Sequence, residues 1–299
     1  MKTGLTLGKF APLHKGDQLL IETALREMDR VIVMVLDASD TNLPLPVRAN
    51  WIRTLYPKVE VLEVGDASTV LSLLASRAIT HVYGVEAAND VSRSLGAMHR
   101  SLPIAAQESV DPVVYRDLLT HVVFVGAPST GKTTLARTLA ARYGTVWVPE
   151  YGREYWERHH VDRRLTLEQL FEIGQGQRER EDAVIMDARR FLFVDTEAIV
   201  TRVFSLHYHG RCDPRLDALA DESARRYDLF FLCADDIPYH DTPERSGETN
   251  RALFQQWICS ELGMRKIPYI TIGGPVDERL ASVTATLERF RKFGSVVSS

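Results

Sequence analysis

The chain contains 299 residues, of which 45% are hydrophobic and 25% are charged, and its formal net charge is −4. This length predicts two domains of ordinary size, and the composition allows each half to bury a core. The negative net charge argues against a nucleic-acid partner, because binding to a phosphate backbone requires a basic surface.

Hydropathy and cysteine usage bear on the location of the protein. No run of 18 apolar residues without charge is present, and the stretch MKTGLTLGKF lacks the apolar segment of a signal peptide. Cys212, Cys233 and Cys259 are too widely spaced for a CxxC metal site, and their odd number argues against a disulfide framework. These features predict a cytoplasmic protein without a membrane partner, while the oligomeric state stays open, homo-oligomers included.

The first half alternates apolar runs with amphipathic segments. The runs LTLG, VIVMVL, VEVLEV and HVYGV predict buried parallel strands. The segments between them predict helices over residues 14–28, 47–55 and 68–76. This alternation predicts an α/β domain with a mostly parallel sheet and helices on both faces.

The first predicted strand ends in the stretch GKFAPLHKGD, which has the features of a phosphate-binding turn. Lys9 supplies positive charge, Pro12 rigidifies the turn, and His14 opens the following helix. Cations and the free amides of a helix N-terminus attract a nucleoside triphosphate. The reaction indicated is nucleotidyl transfer at the α-phosphate, in which stabilisation of charge is the main catalytic effect.

The second half repeats the alternation with the strand candidates HVVFVG, TVWV, FLFVD, LFFLC and PYITI. It therefore predicts a second α/β domain. We place the boundary near residues 115–120, which gives domains of residues 1–117 and 118–299.

A second phosphate-binding loop, GAPSTGKTT, follows the first strand of this half. Gly126, Gly131, Lys132 and Thr133 match the pattern G-x-x-x-x-G-K followed by Ser or Thr, and a predicted helix comes next. Lys132 is expected to reach the β- and γ-phosphates, and Thr133 to bind Mg²⁺. The residues expected to bind ATP are Gly126, Ser129, Thr130, Gly131, Lys132, Thr133 and Thr134. A chance glycine turn is the weaker reading, since strand and helix are both in place.

The stretch FLFVDTE predicts the second magnesium ligand. Four largely apolar residues bring Asp195 to the carboxyl end of a buried strand, where a carboxylate holds the metal or its water shell. The alternative is a polar cap of the strand end. Glu197 is a weaker candidate for a supporting role.

The stretch PEYGREYW predicts the site of the phosphoryl acceptor. Glu150 offers a carboxylate that orients or deprotonates a hydroxyl, and Arg153 offers a cation. Tyr151, Tyr155 and Trp156 offer flat faces for an aromatic ring, and such faces attract a cationic ring most. Alternatively, Glu150 and Arg153 form a surface pair and the aromatic residues belong to the core.

The polar stretch DTPERSGETNR, residues 241–251, predicts a mobile lid. Arg245 or Arg251 is expected to close on the transferring phosphate. The alternative is a solvated charged loop.

Together these motifs resemble a known family. GKFAPLHKG resembles the nucleotidyltransferase signature GKF-x-P-x-H-x-G-H, and Arg48 and Trp51 resemble the Arg-x-x-Trp helix of one branch. GAPSTGKTT, EYGRE, FVDTE, PERSG and a Phe-Gln-Gln helix at residues 254–256 resemble the other half of that branch. The chain as a whole is similar to NadR-type proteins, which join a nicotinamide-nucleotide adenylyltransferase to a ribosylnicotinamide kinase.

The resemblance implies a Rossmann-like nucleotidyltransferase fold followed by a P-loop kinase fold. It implies that the second domain phosphorylates nicotinamide riboside with ATP and Mg²⁺, and that nicotinamide mononucleotide or NAD are further ligands. The implied catalytic residues are Lys132, Glu150, Asp195 and Arg245. The implied substrate-binding residues are Glu150, Tyr151, Arg153, Tyr155, Trp156, Thr196 and Glu197. The implied nucleotide site of the first domain comprises Gly8, Lys9, Phe10, His14, Gly16, Asp17 and Trp51.

Two departures from the family pattern concern the first domain. Asp17 stands where the family has its second histidine, and a carboxylate there is expected to repel a triphosphate. A late motif ending in Ile-x-Arg has no good match, since residues 91–100 fit it poorly.

Three alternatives stay open for this domain: impaired or absent adenylyl transfer, an active second enzyme that makes NAD, and a non-catalytic nucleotide sensor. Some relatives carry a DNA-binding helix-turn-helix ahead of these domains, whereas this sequence begins on the first strand, so nothing in it implies a repressor.

Overall fold

The computed structural model describes residues 1–37, 41–65, 70–75, 77–84, 98–101, 110–160, 164–238 and 251–293. The chain forms two compact units, one containing Met1–Arg116 and the other Asp117–Lys292. Each unit is built on a five-stranded parallel sheet, which confirms the predicted fold class. None of the helices in these ranges is both long enough and apolar enough to cross a membrane.

The first sheet has the strand order β3-β2-β1-β4-β5. Its strands are β1 (Thr3–Gly8), β2 (Arg30–Leu36), β3 (Glu60–Val64), β4 (His81–Gly84) and β5 (Met98–Ser101). The helices are α1 (Lys15–Glu27), α2 (Leu45–Leu55), α3 (Val70–Ala75) and α4 (Pro112–Leu118), the last of which crosses the boundary between the units. Sequence periodicity did not predict β5, because MHRS contains too few apolar residues to read as a buried strand.

Alternation along the strands gives the first sheet two apolar faces. Leu5, Ile32 and Met34 form one core with Val70 and Leu74 of α3. The intervening residues of the strands point to the opposite face, where α1 and α2 pack. The carboxyl end of β1 lies at the point where the strand order reverses, which is where open α/β sheets bind ligands.

The second sheet has the order β10-β9-β6-β8-β7. Its strands are β6 (Thr120–Val125), β7 (Trp147–Val148), β8 (Phe191–Asp195), β9 (Leu229–Cys233) and β10 (Ile270–Ile272). Its helices are α5 (Lys132–Tyr143), α6 (Tyr151–His159), α7 (Leu167–Ala183), α8 (Ala198–His209), α9 (Pro214–Arg226), α10 (Arg251–Met264) and α11 (Val276–Arg289).

A layer of phenylalanines fixes β6 at the centre of this sheet. The ring of Phe124 lies 6.4 Å from that of Phe193 on one side and 5.7 Å from that of Phe231 on the other. Helices α5 and α11 cover this layer with Leu135, Leu139, Leu280, Val283 and Leu287. The register of β6 with β8 pairs Phe124 with Asp195, so both strands end at the same edge of the sheet.

Candidate active site

The loop after β6 is held in a shape that requires glycine at two positions. Gly126 has φ +141°, and a Cβ atom there would lie 2.7 Å from the carbonyl oxygen of Cys233. Gly131 has φ +86° and precedes the first residue of α5. Because L-residues with side chains are strained at such angles, the glycines of the motif are needed for the backbone path. The loop therefore passes directly from the central strand to a helix N-terminus.

Lys132 lies folded over this loop. Its side chain is largely buried, and its Nζ atom donates to the carbonyl oxygens of Gly126 and Ala127 at 3.0 Å each. Thr130 donates its hydroxyl to the same Ala127 carbonyl at 2.8 Å. The ammonium group is thus held at the concave side of the loop, where phosphates bind in loops of this kind.

Three residues from α10 and α11 hold the opposite side of the loop. Arg279 donates to the carbonyl oxygen of Thr130 at 3.0 Å, and Arg251 donates to that of Ser129 at 3.1 Å. Gln255 accepts from the amide of Ala127 at 2.9 Å and donates to the Cys233 carbonyl. These contacts fix the orientation of successive peptide groups. We call Arg251, Gln255 and Arg279 the loop clamp.

The pair expected to bind magnesium is brought together. The hydroxyl of Thr133 lies 2.5 Å from Oδ2 of Asp195, whose side chain is fully buried at the end of β8. Hydroxyl and carboxylate oxygens are the ligand types that Mg²⁺ takes, and it commonly binds through one or two protein ligands plus phosphates and water. The donor set therefore fits a magnesium ion beside the loop.

A cavity of about 570 Å³ extends from the loop toward α6, α7 and α8. The residues Ser129–Thr134 line its polar end. Its apolar lining comes from Trp156, Leu165, Leu170, Ile173, Val200, Phe204 and Tyr208. Glu150, Arg153 and Thr196 add polar groups to the wall. A phosphate-binding end and an aromatic end thus belong to one cavity.

Two of the predicted acceptor residues, Tyr151 and Tyr155, face α7 instead of this cavity. The ring of Tyr151 packs on Gly176 and beneath the guanidinium of Arg180, which lies 4.0 Å from the ring centroid. Tyr155 is 7% exposed and donates its hydroxyl to Glu172. Their rings therefore hold two helices together, as in the alternative in which these aromatic residues belong to the core.

Glu197 lies close in sequence to Asp195 but serves the start of α8. Its Oε2 atom accepts from the amide of Ile199 at 2.9 Å and from the hydroxyl of Ser223 at 2.6 Å. Burial raises the pKa of Glu197 to about 7 despite these hydrogen bonds. The carboxyl is a helix cap within the core.

Sequence reasoning missed the contribution of α8 to the cavity. Val200, Phe204 and Tyr208 are spaced four apart, so they form one face of this helix. That spacing, directly after FVDTE, was the available signal. The sequence patterns indicate no role for Arg279 and predict for Arg251 a place in a lid, whereas both side chains hold the phosphate loop. Arg245 lies outside the described residues.

In the first unit, Arg48 organises the turn after β1. It is fully buried and donates to the carbonyl oxygens of Lys9 at 2.5 Å, Leu36 at 2.7 Å and Leu43 at 2.9 Å. Trp51, one turn along α2, is also fully buried. Trp51 therefore lies in the core of this unit.

The remaining predicted residues of this turn differ in how far they are buried. Lys9 is exposed, Gly16 is buried in the first turn of α1, and a Cβ at Gly8 would lie 3.2 Å from the ring of buried Phe10. Nδ1 of His14 is buried without a hydrogen-bond partner among the described residues.

Asp17 caps α1, because its Oδ2 accepts from the amide of His14 at 3.1 Å. Burial raises the pKa of Asp17, and the hydrogen bond from His14 opposes that shift. A cap explains why a carboxylate stands at this position.

Three comparisons with known proteins agree with this geometry. A family model described as an AAA domain matches residues 121–279, more than half of the 299-residue chain. The trifunctional NAD biosynthesis/regulator protein NadR of Escherichia coli (strain K12) is 24% identical over 322 residues, covering 90% of this chain and 78% of the relative.

Two solved structures share the fold. One is the NadR protein in complex with NR, with a TM-score of 0.59, and the other is the NadR protein in complex with NAD and AMP-PNP, with a TM-score of 0.60. Each solved structure is 21% identical in sequence to this chain. Each match covers 96% of this chain and 95% of the solved chain. The resemblance to NadR-type proteins that the motifs predicted is therefore confirmed.

Proposed function

We propose, since the chain belongs to the AAA domain family, that its second unit is an ATP-dependent kinase that phosphorylates the 5′-hydroxyl of nicotinamide riboside. One observation carries the proposal: a single cavity joins the phosphate loop to an aromatic end, with Glu150 in its wall. The NadR structures with NR and with AMP-PNP support the choice of substrates.

The residues of the loop bind and orient the phosphates of ATP. Backbone amides at the start of α5 face the β- and γ-phosphates, and Lys132 places its positive charge beside them. Thr133 and Asp195 would hold a Mg²⁺ ion, which would neutralise charge on the phosphates. Because the loop clamp fixes the loop in advance, little reorganisation is needed during transfer.

The aromatic end receives the nucleoside. Trp156 and Phe204 offer ring faces to the nicotinamide, whose positive charge such faces attract. Glu150 accepts the proton of the 5′-hydroxyl while the hydroxyl oxygen bonds to the γ-phosphorus. The bond from that phosphorus to the β,γ-bridging oxygen breaks, and ADP leaves. The products are nicotinamide mononucleotide and ADP.

The test is formation of the mononucleotide from nicotinamide riboside, ATP and Mg²⁺ by the purified full chain. Lys132→Ala should abolish the product, while Lys266→Ala, at an exposed lysine of the same unit, should not. The proposal fails if the wild-type chain forms no mononucleotide. Other nucleosides in parallel reactions show whether the cavity accepts a broader class.

A second candidate function concerns the first unit. Within the described part of the chain, the buried Nδ1 of His14 and Nε2 of Gln18 have no hydrogen-bond partner. Buried polar atoms are normally hydrogen-bonded, and a bound nucleotide would supply such a partner. We propose that this unit binds a nicotinamide nucleotide, either to adenylylate it or to sense it. Incubation of the mononucleotide with ATP, followed by assay of NAD and pyrophosphate, separates the two. Absence of products together with undetectable binding of the mononucleotide and NAD in calorimetry would reject both.

The proposal includes a cytoplasmic location and small molecules as ligands, with no nucleic-acid or membrane partner. The net charge of −4 and the widely spaced cysteines support it. Measured binding of the chain to DNA or RNA at physiological salt would contradict it.

A further inference from the structure

The start of α6 has no cap of its own. The helix begins at Tyr151, and the preceding Glu150 makes no capping hydrogen bond through its side chain. Such a start leaves backbone amides in need of acceptors from elsewhere. The amide of Tyr151 finds one in Oε1 of Gln177, at 2.8 Å, and Gln177 is 4% exposed on α7. A side chain from a different helix thus caps the residue next to Glu150.

The ring of Tyr151 is gripped by the same part of α7. A Cβ atom at Gly176 would lie 2.3 Å from Cε1 of Tyr151, so only glycine leaves room for the ring. Arg180, one turn further along, covers the ring with its guanidinium and binds Glu154 of α6 at 2.8 Å. Backbone and side chain of one residue are therefore fixed by three positions of α7, which we call the α7 seat: Gly176, Gln177 and Arg180.

The α7 seat influences the position of Glu150 in the cavity wall, because a peptide bond joins Glu150 to Tyr151, the residue that the seat holds. Glu150 lines the cavity, whereas the seat lies behind it. A shift of α6 by a fraction of a helical turn would move the Glu150 carboxylate away from the acceptor hydroxyl. Misplacement of a reacting group by about 1 Å costs about a hundredfold in rate.

From these contacts we infer that the α7 seat positions Glu150 for phosphoryl transfer, so that Gly176, Gln177 and Arg180 are positioning residues of the kinase. The inference rests on the proposed function, in which Glu150 accepts the proton. It also assigns Tyr151 a role through its ring and amide instead of a contact with the acceptor.

Paired substitutions at Gln177 and Gln175 separate positioning from general packing. Gln177→Met keeps the length of the side chain and removes the acceptor oxygen, whereas Gln177→Glu keeps an acceptor. Gln175→Met is the matched control, since Gln175 is exposed on the same helix and contacts Glu179. Tyr151→Phe removes only the hydroxyl. Gly176→Ala perturbs the ring directly.

The first measurement needs no substrate. Hydrogen exchange of the Tyr151 amide in the full chain should be slow in the wild type, Gln177→Glu and Gln175→Met, and faster in Gln177→Met. Equal exchange in all four proteins would overturn the seat. This outcome is independent of which nucleoside the enzyme accepts, so it decides the inference even if nicotinamide riboside is not phosphorylated.

The second measurement is steady-state kinetics with nicotinamide riboside. Gln177→Met should lower kcat by about tenfold to a hundredfold and leave the KM for ATP unchanged. Gln177→Glu should recover kcat to within about threefold of the wild type. Gln175→Met should match the wild type. A wild-type kcat in Gln177→Met, or a raised KM for the nucleoside in Tyr151→Phe, would overturn the inference and leave the proposed kinase intact.

Discussion

Replacement of Arg279 by methionine should destabilise the second unit and weaken its hold on ATP. The side chain is 1% exposed, and it donates to the carbonyl oxygens of Gly274 at 2.7 Å, Thr130 at 3.0 Å and Ala234 at 3.3 Å. It also binds Asp236, whose side chain is 43% exposed. Methionine fills a similar volume but donates no hydrogen bond, so three carbonyl oxygens lose their donor.

The size of the effect follows from these contacts. A buried polar group left unsatisfied costs about 1–3 kcal/mol, and the lower half of that range applies because methionine keeps the packing. The partly exposed Asp236 adds little, since water solvates it when the arginine is gone. The sum over the three carbonyl groups is about 3–6 kcal/mol. For a domain of this size it corresponds to a fall in Tm of about 6–24 °C.

Thermal unfolding of the full chain, followed by circular dichroism, measures this fall. The transition of the second unit is identified by its shift to higher temperature with an ATP analogue. Arg289→Met, at an exposed arginine of the same helix, is the control and should change stability by less than about 0.5 kcal/mol. A Tm of Arg279→Met within about 2 °C of the control would refute the reasoning. The KM for ATP should rise in Arg279→Met, because the Thr130 carbonyl is no longer held.

Three further outcomes are expected. Asp195→Asn should lower kcat by about a hundredfold and raise the Mg²⁺ concentration that gives half the maximal rate. If a Mg²⁺ titration shows the same midpoint as the wild type, Asp195 is not a metal ligand. Phe204→Ala should raise the KM for the nucleoside by about tenfold and leave the KM for ATP unchanged. Steady-state kinetics measures both constants, and an equal rise in both would contradict this prediction. Burial raises the pKa of Cys233 to about 12, so its thiol stays protonated at pH 8. Iodoacetamide should therefore label Cys233 only after unfolding, and rapid labelling of the native chain would contradict its burial.

The parts of the fold that depend on local sequence were predictable. Apolar runs such as FLFVD specify buried strands because both faces of a parallel sheet are covered, and GAPSTGKTT specifies its loop because Gly126 and Gly131 adopt angles that strain other residues. The pairing of Thr133 with Asp195 followed from the rule that neighbouring parallel strands end at one edge of the sheet. The strand and loop predictions need only the residues within one strand or one turn, and the pairing needs in addition only that the two strands are neighbours in a parallel sheet.

The directions of the aromatic side chains in EYGREYW, residues 150–156, were not predictable from the motif. Tyr151 and Trp156 are both aromatic, yet one packs on Gly176 and the other lines the cavity. Which face of α6 is covered depends on the glycine of a different helix, and nothing within EYGRE encodes it. Similarly, the sequence predicts that the Asp17 carboxylate repels a triphosphate, whereas the structure shows that it accepts a hydrogen bond from the His14 amide. Tertiary partners decided both cases.

The loop clamp has a consequence for synthesis of the chain. Gln255 and Arg279 follow the loop residues that they hold by 128 and 149 positions. A ribosome adds about 5–20 residues per second, so the finished GAPSTGKTT segment waits roughly 7–30 s for its last support. A nascent or truncated polypeptide that ends before Arg251 contains the complete GAPSTGKTT motif but none of the three residues of the loop clamp. The loop therefore gains these supporting hydrogen bonds late in translation, after residues 251–279 of the 299 have been added.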